Sequence, residues 1–230
     1  MLLDDDFTSI VEAVRLGRRI FDNLKKAMGY VFAIHVPIAG LSLFAVLFRW
    51  PLILEPVHVA FLELIIDPAC STIFEAEPAE EDIMQRPPRP ANERIFNRPM
   101  VKRSLLQGLG VLAILLGIFA LALHRGQSQQ DARALTFTTL VLANVALIIS
   151  SRSSRNLLHI LRTPNPTMWW IVSGAVTFLG LILYVPYLKD LFHLSTLHAD
   201  DLAACVAASV ICIAWFEALK ALLRPTRSAD

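Results

Sequence analysis

Six apolar runs constrain this chain more than any other feature, because each is close to the roughly 20 residues with which a helix crosses a hydrocarbon core. They are Ala27 to Phe48, Leu52 to Phe74, Ser104 to Leu123, Ala134 to Ser151, Met168 to Tyr187 and Leu202 to Leu223. The runs predict an all-α, polytopic membrane protein with six transmembrane helices. Charge is kept out of them: 18% of the 230 residues are charged, against about 25% in an ordinary soluble domain.

The placement of the basic residues predicts orientation. Of the 21 Lys and Arg, 17 lie in four segments: Arg15 to Lys26, Arg86 to Arg103, Arg152 to Arg162, and Lys220 to Arg227. The other loops share only Arg49, Arg125, Arg133 and Lys189. By the positive-inside rule both termini are expected on the cytoplasmic side, in the plasma membrane.

The organisation that follows is an N-terminal segment 1–26, a membrane domain 27–223 containing a polar loop 75–103, and a tail 224–230. The first segment repeats Phe7, Ile10, Val11, Val14, Ile20, Phe21 and Leu24 at near-helical spacing. It predicts a cytoplasmic stalk helix running into the first span, with a surface-lying interfacial helix as the alternative. No secretory signal opens the chain, since these residues are charged and amphipathic. The loop is acidic from Glu75 to Asp82, then basic and proline-rich from Arg86 to Pro90, and its prolines argue against a regular helix. It is long enough to dock on something in the cytoplasm.

Chemistry is concentrated in the second span. Glu63 and Asp67 stand four residues apart, so both project from one helix face. An acid at the bilayer centre costs about 2.5–3.5 kcal/mol on insertion scales, so these two should face protein, water or an ion. Pro68 frees a carbonyl one turn back, as in the broken helices of membrane ion sites. The first span has His35 and Pro37 near its centre, a similar irregularity that points to one shared cavity. Asn144 lies near the centre of the fourth span, with Thr136, Thr138 and Thr139. Hydrogen bonding between helices is the alternative for each of these polar groups. Glu217 and Lys220 read as a snorkelling ion pair.

Other chemistry finds no support. There is no phosphate loop, dinucleotide fingerprint, H-E-x-x-H or nucleophile elbow, and no sign of a nucleic-acid site. Cys70, Cys205 and Cys212 fall within spans without zinc spacing. Asp4, Asp5 and Asp6 do not share a helix face and read as a solvated helix start.

The residues resemble a known family over essentially the whole chain. LLDDDFTSIVEAVRLGRRIFDNLKKAMGYV, FLELIIDPACSTIFEAEPAEEDIMQRPPRP, FTTLVLANVA and LYVPYLKDLF are similar to the C-terminal region of calcium-pump-like (type II) P-type cation-transporting ATPases, and the run Asp82 to Arg89 is the most specific part. The resemblance implies that the six spans correspond to helices five to ten of a ten-helix pump. It implies a cation-binding role for Asp67, a variant ligand at Glu63, and site positions at His35 and Asn144. Ile38 and Ile66 stand where the family has a glutamate and a threonine ligand. A single cation, or a counter-transported proton on His35, is compatible with that exchange.

The family's phosphorylated aspartate, nucleotide domain and magnesium motif have no counterpart in these residues. The expectation is therefore a C-terminal transport domain that contributes part of the ion pathway and is not an ATPase by itself. Its expected partners are the bilayer, a cation such as Ca²⁺, and a separate chain carrying the catalytic domains, through which alone ATP and Mg²⁺ would enter. A stand-alone six-helix membrane protein, acting as channel, regulator or inert remnant, is the alternative.

Overall fold

The computed structural model describes residues 7–68, 72–88, 95–152 and 165–222, with Asp67 described by its backbone alone. Asp4 to Asp6, Cys70 and the tail 224–230 lie outside the described residues. Among the described residues eight helices follow in order: α1 (Phe7–Leu47), α2 (Pro56–Pro68), α3 (Phe74–Ala76), α4 (Arg98–His124), α5 (Gln129–Ser151), α6 (Pro166–Tyr184), α7 (Pro186–Leu191) and α8 (Ala199–Leu222). No strand occurs among the described residues. By length and composition α1, α4, α5, α6 and α8 can cross a membrane, and α2 is a shorter apolar helix. This is the architecture of a polytopic all-α membrane protein.

The helix boundaries follow from local chemistry. Asn97 accepts the Met100 amide at 2.9 Å to start α4, and Asn165 accepts the Met168 amide at 3.1 Å to start α6, each with a proline in the first turn. Such caps satisfy amides that have no partner within the helix. At the start of α5, Ser128 and Asp131 cap each other's backbone reciprocally, a capping box. Three helices stop by the same device, a left-handed residue followed by a bond back across six residues. In α1, Arg49 has φ 54° and Trp50 donates to Ala45 at 2.9 Å. Gly126 and Gln127 close α4, and His193 and Leu194 close α7 in this way.

Packing centres on α5, whose residues from Ala132 through Val141 are buried without a break. It contacts α8, α4, α1 and α6, while α4 lies along α1. An aromatic group of Phe61, Phe137, Phe178, Phe192 and His58 ties α2 to α5, α6 and α7 at one end of the bundle. Elsewhere large apolar side chains such as Leu43, Val46, Leu64, Trp170 and Val210 remain exposed. On a soluble protein this would be a liability, whereas lipid accepts it.

Two local expectations are corrected. α1 continues through Pro37, which is buried inside the helix, so the first span is not interrupted there. Its packing against α4 holds the helix together despite the lost backbone bond. In the second, Glu217 and Lys220 do pair, at 2.8 Å, but the Lys220 side chain is only 2% exposed. It is enclosed by the bundle rather than reaching for solvent.

Candidate functional site

The candidate site is carried by one side chain from each of two helices, α1 and α2. On α1, His35 Nδ1 lies 2.8 Å from the carbonyl oxygen of Val31 one turn earlier. A carbonyl can only accept, so Nδ1 carries the hydrogen and Nε2 of a neutral ring presents a lone pair. That Nε2 is 3.7 Å from Oε1 of Glu63 on α2. The two groups therefore face each other as acceptors unless a proton or a cation lies between them.

The chain's own described residues leave this pair open, with side chains 48% and 42% exposed. Around it the lining is hydrocarbon: Ile38 on α1 and Ile66 on α2 are buried. Asp67 belongs to the last turn of α2, which ends at Pro68. Pro37, by contrast, lies well inside a continuous helix. Asn144 lies on α5, 2% exposed, and its Nδ2 has no hydrogen-bond partner. It makes no bond to His35 or Glu63. Of the neighbouring threonines, Thr136 and Thr139 donate back to Ala132 and Leu135 of their own helix, both at 2.8 Å. Among the described residues no group of three or more His, Cys, Asp or Glu is placed to hold a metal.

Two polar clusters flank the site, and sequence reasoning found neither. The first joins the polar loop to three helices. The Glu77 carboxylate accepts from Arg152 Nε at 2.7 Å and Asn165 Nδ2 at 2.9 Å. The Glu77 carbonyl accepts from Asn23 at 2.8 Å and Arg19 at 2.9 Å on α1. Arg18 adds bonds to the carbonyls of Ile83 and Arg86. Arg86 bridges Asp22 and Asp82, both at 2.7 Å, and the Asp82 bond, ahead of the Asp22 charge, holds its guanidinium above the ordinary value. The second cluster lies at the opposite end. Glu55 pairs with Arg133 and His193, each at 2.7 Å, and Arg133 also donates to the Leu52 and His193 carbonyls. His58 accepts the Glu55 amide at Nδ1 and so donates from Nε2 to the Phe192 carbonyl, 2.9 Å away.

A bundle of helices long and apolar enough to cross a membrane defines an integral membrane protein. A family model described as "Cation transporting ATPase, C-terminus" matches residues 51–222. The chain belongs to this family of P-type cation-transporting ATPases, as a transmembrane part of the pump. It is 31% identical over 228 residues to "Calcium-transporting ATPase 1" of Lactococcus lactis, covering 96% of this chain and 25% of that protein. It is 29% identical over 216 residues to "Calcium-transporting ATPase" of Bacillus subtilis, covering 92% of this chain and 24% of the relative. Human "Calcium-transporting ATPase type 2C member 1" is 24% identical over 220 residues, covering 92% and 24%. The chain spans about a quarter of the length of these relatives.

Proposed function

We propose that this chain forms one wall of a cation pathway, with Glu63 and Asp67 as its charged ligands, His35 beside them and Asn144 as a neutral contributor from α5. The observation that carries this reading is the approach of His35 Nε2 to Glu63 Oε1 at 3.7 Å. A cation between the two acceptors would bond the Glu63 oxygen at about 2.0–2.6 Å if it is hard, and the His35 nitrogen as well only if it is a softer transition metal. A proton on the imidazole would satisfy the same pair, which makes a counter-transported proton on His35 the alternative occupant.

The names of the relatives make Ca²⁺ the first cation to test. Ile38 and Ile66 offer no oxygen, which favours a single ion. ATP hydrolysis belongs to domains outside these residues, on a separate chain or segment, and the polar loop is the surface that meets them. The basic bias of Arg15 to Lys26 and Arg86 to Arg103 supports a topology with both termini on the cytoplasmic side of the plasma membrane.

Calorimetric titration of the detergent-purified chain with Ca²⁺ and other divalent cations tests the assignment. Glu63→Gln and Asp67→Asn should each weaken binding at least about tenfold, because each removes a full ligand charge. Unchanged affinity in both variants would sink it.

A further inference from the structure

A second site lies where α1 and α4 pass from polar into apolar sequence. Here a cavity of about 680 Å³ is lined by Lys25, Lys26, Arg86, Arg98, Lys102 and Arg103. Among the described residues, the acids lining it are Asp22 and Glu80. Both are already engaged, Asp22 with Arg86 at 2.7 Å and Glu80 with Lys26 at 2.9 Å. Arg86 is further paired with Asp82 at 2.7 Å and Arg103 faces the charge of Glu217, so the positive charge this concave site focuses on an anion is carried by Arg98 and Lys102. The positive end of the α4 dipole adds to it, since Asn97 and the first turn of α4 line the same cavity.

An independent observation concerns Gln107, one of the lining residues. Its side chain is 4% exposed, and its Nε2 donor has no partner. A buried amide donor without an acceptor is costly, and an anionic oxygen in the cavity would satisfy it.

The surroundings select the kind of anion. The apolar runs begin at Ala27 on α1 and Ser104 on α4, so the cavity sits at headgroup level. Next to it Phe32 and Phe96 pack edge to face at 5.7 Å, with both rings and Leu105 and Leu109 of α4 exposed. A basic cup above an open apolar strip fits a molecule with a phosphate head and a hydrocarbon tail. We propose that this cavity binds the phosphate headgroup of an anionic phospholipid, whose acyl chains lie along the Phe32 and Phe96 side.

The test is native mass spectrometry of the detergent-solubilised full chain titrated with dioleoyl phosphatidic acid. The wild type should retain phosphatidic acid well above phosphatidylcholine. Arg98→Gln with Lys102→Gln, both exposed positions, should weaken retention at least about tenfold. Gln107→Leu should weaken it too, and Lys189→Gln at the other end should leave it unchanged. Equal retention of the two lipids, or equal affinity of the wild type and the Arg98→Gln, Lys102→Gln variant, would overturn the proposal. A parallel titration with inorganic phosphate separates the sources. Displacement of the lipid by millimolar phosphate would overturn the lipid assignment in favour of a soluble anion, and no displacement supports it.

Discussion

Gly108 of α4 lies against the carbonyl oxygen of Ala33, the group that Pro37 leaves without its helical donor. A methyl at Gly108 would stand 2.5 Å from that oxygen and 2.5 Å from Val36 Cβ. Both are backbone or β-carbon atoms, so relief requires the two helices to part. Gly108→Ala should therefore destabilise the chain by about 1–3 kcal/mol. Thermal unfolding in detergent measures this, and an unchanged midpoint would refute the close approach.

The Glu77 carboxylate faces an Arg152 side chain that is 1% exposed. Glu77→Gln removes the counter-charge from a buried guanidinium and should cost about 3–5 kcal/mol. Adding Arg152→Met to that variant should recover part of the loss. Chemical denaturation of the single and double variants checks both statements.

Arg49 holds a left-handed φ of 54° at the end of α1, a conformation that side chains disfavour by roughly 1 kcal/mol. Arg49→Gly should leave the turn in place and raise stability by up to about 1 kcal/mol. The same change at His193, φ 47°, should gain less, because it also deletes the 2.7 Å bond to Glu55.

The Asp131 carboxyl is held below its usual range by the nearby Ser195 hydroxyl first and then by Ser128, whose Oγ and amide donate to it at 2.7 and 3.1 Å. Its folded pKa lies below the unfolded value of about 3.9, so its stabilising contribution is complete above that value. The contribution disappears as pH falls through the folded pKa. Asp131→Asn should thus be less stable than wild type at neutral pH by about 1 kcal/mol, and the gap should close in acid. Paired melts at pH 7 and pH 3 measure the difference.

The architecture was legible because lipid permits few solutions: long apolar runs had to be helices, and α4, α5, α6 and α8 overlap the runs read from the sequence. The second run reads as one span from Leu52 to Phe74, and its helix starts only at Pro56, a good first-turn residue. Arg133 was counted among loop charges but is 8% exposed in the first turn of α5, neutralised by Glu55 from far away in sequence. Glu77 and Arg152 were invisible for the same reason. Each looks like an ordinary charged loop residue until folding brings together partners 75 positions apart.

That buried pairing has one further consequence. Glu77 accepts from Asn23 and Arg19 through its backbone and from Arg152 and Asn165 through its side chain. The polar end of α1, the segment leaving α2 and the start of α6 are thereby pinned to a single residue. A tilt of the polar end of α1 therefore pulls directly on Glu77, the residue that also holds Arg152 and Asn165, with no slack loop between them.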